Sequence, residues 1–280
     1  WGGEDQIVPE FGRAYVSIKP LIGTSLSDSE KAQIKEILKN KNIVSIIPEI
    51  VDPEFTDIEL DVFFKYNPSL TSRSESAIES LVKDVILDYN FNQLNRFDGV
   101  FRHSELLGLI DDSDPAITSS TVRPYMSKTI NAKSNKNLNA FTLTFAESFH
   151  IEPGDSINLD SNEFIVSGVP YKFGDIAIPG SSNRQVIIYR IDDDGNREVI
   201  VGDAGLINIT TGVITLNNFE VDVDSEINLT IAPVSLDIAP QRNQIINIKS
   251  SKILVTGQVD KIAFTGPAGT IDYTTTPRLR

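Results

Sequence analysis

Two spacings of apolar residues run through the first half of the chain, and each predicts a kind of element. Phe11 to Ile18 reads as a strand. Ser27, followed three residues later by Glu30, is a capping-box start for a helix running to about Lys41, with Ile34, Ile37 and Leu38 on one face. Val44 to Val51 reads as a second strand, placed at an edge or a bulge by Pro48, because proline donates nothing to a ladder. In the next strand Ile58, Leu60, Val62 and Phe64 alternate with Glu59, Asp61, Phe63 and Lys65, so one face is expected to be buried and the other wet, with Phe63 an aromatic exception on the wet side. Ser74 to Leu94 aligns Ala77, Ile78, Leu81, Val82, Val85, Ile86 and Tyr89 on one stripe, the pattern of a long amphipathic helix. A short β run at Val100 to Arg102, a small helix from Glu105 to Ile110 capped by Ser104, and an extended run from Ile117 to Ile130 follow. This order predicts an α+β unit, a split β-α-β-like mixed sheet with two helices on one face.

The second half has no comparable helical period. Short apolar runs separated by Gly, Pro, Asn and Asp predict strands at Phe141 to Phe145, Ser156 to Leu159, Glu163 to Val166, Gln185 to Ile191, Glu198 to Val201, Leu206 to Ile209, Val213 to Leu216, Ile227 to Pro233 and Ile245 to Ile248. Their spacing predicts an antiparallel β-rich domain, a sandwich or open barrel. The polar run from Asn131 to Asn137 is the expected boundary. The expected organisation is an α+β domain over 1–130, a polar linker over 131–139, a β domain over 140–265 and an extended tail over 266–280. Within the linker Asn131, Ser134 and Asn137 are the hinge candidates.

Composition then narrows the chemistry. There is no Cys, which excludes disulfide frameworks, thiol nucleophiles and zinc ribbons, and two His leave little for metal or proton-shuttle work. The net charge of -14 opposes a polyanion, so neither nucleic acid nor an anionic membrane is an expected partner. No apolar stretch approaches the roughly 20 residues of a spanning helix. The chain opens Trp1-Gly2-Gly3 without an initiator Met, which predicts a fragment or a processed product.

Local motifs offer no catalytic residue, cofactor or metal ligand. His103 and His150 lack partners in sequence. Asp192-Asp193-Asp194-Gly195-Asn196 imitates a calcium loop, but aligning Gly195 to the loop glycine puts Arg190 and Val201 in the terminal ligand positions. A hairpin turn with Gly195 at positive φ is the expected reading. Glu59 and Asp61 are expected to be solvated, and the paired glycines at 202–205 and 266–269 lack the helix and Lys of a phosphate cradle. Trp1, Phe11, Phe63, Tyr66 and Tyr273 are the aromatic candidates for an interface, with Phe63 and Tyr66 expected near the solvent face of their strand.

The runs Ile58 to Tyr66, Ser76 to Asn90 and Asp98 to Asp112 together resemble the baseplate J-like family of contractile phage tails. The opening Trp1 to Val16 and the tail Gly269 to Pro277 are similar to the gene-six baseplate wedge subunits of T-even-type myoviruses, in their C-terminal portion. The resemblance implies a non-enzymatic virion protein of the tail baseplate, assembled in the host cytoplasm. It implies pairing of the chain with itself and contacts with other baseplate wedge proteins, joining wedges into a ring that rearranges on sheath contraction. The alternative is a carbohydrate-binding or host-attachment module, for which the second half offers Phe149, Tyr171, Phe173, Tyr189 and Phe219 as stacking aromatics.

Overall fold

A computed structural model describes residues 1–5, 9–21, 23–41, 46–134, 138–152 and 158–264. The expected tail over 266–280, with Tyr273, and the expected strand start at Ser156 lie outside the described residues, as does Asn137.

The chain begins with a small unit in which β1 (Arg13–Ser17) pairs in parallel with β2 (Ile47–Val51) beside α1 (Asp28–Lys39). The capping box forms as the sequence predicts: Ser27 Oγ accepts from the Glu30 amide at 3.3 Å and Glu30 Oε2 accepts from the Ser27 amide at 2.9 Å. Of the expected apolar face, Ile34 and Leu38 are half-buried, whereas Ile37 is 57% exposed.

The main sheet is built on β3 (Glu54–Tyr66) and β4 (Ile117–Ala132), antiparallel neighbours with Ile58 opposite Met126 and Val62 opposite Val122. Between them in sequence come α2 (Glu75–Tyr89) and α3 (His103–Asp111). Ile58, Leu60, Val62 and Phe64 meet Ile78, Val82 and Ile86 of α2 and Leu106 and Ile110 of α3 in a single core, and each is at most 2% exposed. At about 1.5–3 kcal/mol for each large apolar side chain removed from water, this layer dominates the local energetics. The helical stripe is narrower than its period suggested, since Ala77 is exposed. Tyr66 continues the even-numbered series and lies in the core at 7% exposure, not near the solvent face, with its hydroxyl donating to Glu75 Oε2 at 3.2 Å.

The remaining strands are β5 (Asn139–Thr144), β6 (Asp160–Ser161), β7 (Phe164–Val166), β8 (Val169–Ala177), β9 (Arg184–Ile191), β10 (Arg197–Asn208), β11 (Val213–Phe219), β12 (Ser225–Ile231), β13 (Gln244–Asn247) and β14 (Ile253–Val259), and α4 (Lys261–Phe264) follows. One antiparallel sheet runs β5-β11-β10-β9-β8-β7. The expected pair of strands at 198–201 and 206–209 is one bulged strand, β10, with register shifts between Val199 and Gly205. Gly205 takes φ +149 there, and a Cβ would fall 1.9 Å from the Thr215 carbonyl oxygen, so only glycine fits.

Strand pairing does not divide at 131–139. The second half returns to complete the first sheet: β12 pairs antiparallel with β4, β6 adds to β12, and both β13 and β14 lie parallel to β3. Buried side chains of both halves form one hydrophobic cluster, from Ile58 to Phe173, Phe219 and Ile246. The overall class is α+β with a β-rich second sheet, as the sequence predicts.

Candidate assembly surfaces

The odd-numbered residues of β3 face away from α2 and α3. Register places Tyr125, Arg123 and Thr121 beside Glu59, Asp61 and Phe63 on one side, and Leu254 and Thr256 beside Asp61 and Phe63 on the other. Asp61, Phe63, Thr121, Arg123, Leu254 and Thr256 line a shallow groove of about 370 Å³. Leu254 is 62% exposed in it, and Phe63 is half-buried. The groove thus sets an apolar pair between an acid and a guanidinium.

At one end of this face Glu59 is not simply solvated. It accepts from Asn228 Nδ2 at 2.7 Å and from Thr230 Oγ1 at 3.1 Å, and it is ion-paired with Lys252. Desolvation pushes its carboxyl up, but the bonds from Lys252 and Asn228, the Lys252 charge and the Thr230 hydroxyl outweigh that and hold it below the usual carboxylate range. The neighbouring Asp61 carboxyl is pushed up, by desolvation first and by the Glu59 charge second, with Arg123 opposing both. Sequence spacing could not reveal the Glu59 cluster, because its three donors come from about 170 to 190 residues away.

The other aromatic candidates are scattered. Trp1 is half-buried and stacks on Tyr15, with ring centroids 5.6 Å apart and planes at 17°. Phe11 is 81% exposed in the same small unit. Both flank β1, whereas Phe63 lies in β3 of the main sheet. Of the hinge candidates, Asn131 sits inside β4 opposite Glu226. Ser134 donates its amide and its hydroxyl to Asp224 Oδ1 at 2.9 and 3.0 Å, beside Lys133 Nζ on Oδ2 at 2.9 Å. These donors, Lys133 foremost, lower the Asp224 carboxyl to about 2. Asn139 closes the segment by exchanging bonds with the Lys133 backbone at 2.9 and 3.0 Å.

Groups that could have carried chemistry have structural partners. The His103 ring bonds the Val122 carbonyl at 2.9 Å, and its amide donates to Asp237 Oδ1 at 2.9 Å. Asp237, 134 residues away, thus caps α3 in place of the expected Ser104. His150 meets Glu152 at 3.3 Å in an open pocket of about 400 Å³ that also holds Arg123, Tyr125 and Asn158. No group of three or more metal-ligating side chains occurs among the described residues, and no helix among them is long and apolar enough to cross a membrane. The 192–196 cluster is the β9–β10 turn, where Asp192 Oδ1 accepts the Asp194 and Asn196 amides at 3.0 and 2.7 Å and Gly195 takes φ +82. Phe149, Phe173, Tyr189 and Phe219 are at most 5% exposed, so they pack the core rather than offering a stacking platform, and Tyr171 is half-buried. The sequence reading also missed an apolar patch on the second sheet, where Leu138, Ile200 and Val201 are 55, 45 and 39% exposed.

Comparison with known proteins falls on the region that carries the helix-covered sheet. Residues 1–51 match C-terminal domain I of the baseplate structural protein gp6, and residues 54–129 match its C-terminal domain III. The baseplate wedge protein gp6 of Enterobacteria phage T4 is 28% identical over 110 residues, covering 39% of this chain and 17% of the relative. The matched stretch therefore spans less than a fifth of that relative's length. The boundary between the two matches falls at Asp52-Pro53, between β2 and β3, where the small parallel unit gives way to the main sheet. Over residues 1–129, then, the chain is similar to the C-terminal portion of a baseplate wedge protein.

Proposed function

We propose that the chain is a structural component of a contractile phage tail baseplate, carried in the virion and assembled in the host cytoplasm. In this reading it pairs with a second copy, contacts other wedge proteins, and links neighbouring wedges into a ring that rearranges on sheath contraction. It works by presenting rigid surfaces and carries out no reaction of its own. The observation that supports this most is the continuous match of residues 1–51 and 54–129 to two gp6 C-terminal domains. The fold agrees physically: a rigid sheet has an exposed Phe63–Leu254 groove on one face and a packed helical layer on the other.

Pairing would centre on the Phe63 groove, since a half-buried aromatic beside an exposed leucine gives the desolvated centre that stable interfaces need. Trp1 and Phe11 would contribute a separate contact from the opening unit. Movement of the ring would begin at 131–139, where the bonds from Lys133 and Ser134 to Asp224 can break and re-form without disturbing β4.

Molar mass across a dilution series tests the pairing. The chain of 30.9 kDa is expected to run near twice that mass, and Phe63→Asp with Leu254→Asp to return it to one chain. A mass of one chain at every concentration, or a dimer indifferent to the double substitution, contradicts pairing through this groove.

A further inference from the structure

The groove between α2 and α3 departs from the usual electrostatics of helices. Helix C-termini carry the negative end of the macrodipole and ordinarily attract Lys or Arg. Neither α2 nor α3 has a basic residue in its last turn. Instead α2 ends with Asp88 in its last turn, and α3 ends on Asp111 with Asp112 as its C-cap. Asp88, Glu105 and Asp112 line one groove of about 420 Å³ with an apolar floor of Val85, Tyr89 and Leu109. All three carboxylates are exposed, and none forms an ion pair among the described residues. Leu109 is 41% exposed on the floor. Two guanidiniums stand near the rim, Arg96, which donates to Gln93 Oε1 at 3.5 Å, and Arg102, which is already paired with Asp237 at 2.9 Å, so the three carboxylates are not neutralised within the chain.

The end of α2 has a second irregularity at the same place. Residues Asn90–Leu94 form a π turn, a geometry found disproportionately at functional sites. It is held by the buried Asn90, which accepts the Ile248 amide at 2.8 Å and donates to Asn247 Oδ1 at 3.2 Å. The turn presents Asn92 and Gln93 to the groove and leaves Phe91, next to them, 79% exposed. The free chain thus keeps uncompensated negative charge at two helix ends around an open apolar floor. Three exposed carboxylates around the floor favour an occupant that brings positive charge to this groove.

We propose that this groove docks a cationic amphipathic segment of a partner protein, with apolar side chains entering between Val85, Tyr89 and Leu109 and Lys or Arg meeting Asp88, Glu105 and Asp112. The site is distinct from the Phe63 groove, and it stands whether or not the chain pairs with itself. Binding would supply the positive charge that both helix ends lack.

The test uses the full chain and a labelled leucine/lysine peptide about four helical turns long, with its leucines on one face. Binding is read by fluorescence anisotropy at two salt concentrations. The triple variant Asp88→Asn, Glu105→Gln, Asp112→Asn is expected to bind about tenfold more weakly or worse. The double variant Asp88→Asn, Asp112→Asn should also melt about 2–4 °C higher, because negative charge at the two helix C-termini is removed, whereas Glu105 stands in the first turn of α3, where its charge is favourable. A charge-matched control, Glu36→Gln, Asp193→Asn, Asp194→Asn, lies elsewhere on the surface and should bind as the unaltered chain does. Leu109→Ser should weaken binding without the rise in melting temperature. If the control loses as much affinity as the triple variant, or the triple variant binds undiminished, the peptide is responding to net charge and the groove is not a docking site.

Discussion

The opening unit over 1–51 and the sheet unit built on 54–132 are adjacent in sequence and are held together by different physics. In the opening unit α1 buries no residue completely and is attached by Lys35 to Glu49 at 2.7 Å and Lys31 to Asp52 at 2.7 Å, while Arg13 of β1 meets Glu49 of β2 at 3.3 Å. Pairs of this kind contribute about 0–1 kcal/mol each, and a two-stranded sheet is marginal alone. In the sheet unit Ile58, Phe64, Ile78, Val82 and Ile86 are all fully buried. Both units match gp6 C-terminal domains, and yet they are not stabilised in the same way. A unit held mostly by exposed ion pairs can be tightened from outside by a partner, whereas one held by a core cannot be adjusted without being unpacked.

The sharpest way to break that contrast is to damage the core. Phe64→Ala removes a fully buried ring and should cost about 3–5 kcal/mol in urea unfolding, enough to lower the midpoint for both halves at once. A loss confined to signals from 54–132 would show that the second sheet does not share the transition. Asn90→Ala is the next largest: it strands the Ile248 amide, with an expected cost of about 1–3 kcal/mol and faster exchange at Ile248.

Glu59 sharpens the comparison through pH. Its folded carboxyl lies below the usual range, so its contribution is present above the unfolded carboxylate pKa and is lost as pH falls through the lower folded value. Stability of Glu59→Gln should therefore lie below that of the unaltered chain at neutral pH and converge with it in acid. Parallel curves from neutral to acid would contradict the Lys252–Asn228–Thr230 cluster. The smallest effect belongs to the opening unit, where Ser27→Ala removes the capping box at about 0.5–2 kcal/mol of local helix stability. It should raise exchange in α1 and leave the urea midpoint of the main sheet unchanged.

What sequence could show followed from whether the deciding contact was local. The alternation of β3, the stripe of α2, the Ser27–Glu30 box and the Asp194-Gly195 turn all depend on neighbours within a few residues, and all formed. Tyr66 was misplaced near the solvent face, although it shares the parity of Ile58 to Phe64 and so belongs to the core face. β14 was not legible: Gly257 interrupts its pattern, and its partner β3 lies about 190 residues earlier. β8 was missed as well, because Pro170, Lys172, Gly174 and Asp175 break its apolar run. Asp175 turns out to be fully buried, accepting the Asn158 and Leu159 amides at 2.6 and 2.7 Å and pairing with Arg184. The Asp237 cap of α3 and the return of β12 to β4 are likewise long-range choices that no local spacing encodes. Of the candidate surface, Phe63 was readable as an apolar residue on a wet face, but Leu254 was not, since nothing marked its strand. The acidic ends of α2 and α3 stood in the sequence as Asp88 and Asp111-Asp112, and only the fold brings two of them, with Glu105, around one groove.

Residue-resolved hydrogen exchange under native conditions, taken to the slowest amides, is the most direct test of the claim that both halves share one core. Ladder amides of β3, β4, β12 and β14 are expected to exchange with the same opening free energy, equal to that of global unfolding, while β1 and β2 exchange through an easier, separate opening. If amides of β12 and β14 open independently and leave β3 and β4 protected, the strands that return from the second half are an addition to the first sheet rather than part of its core.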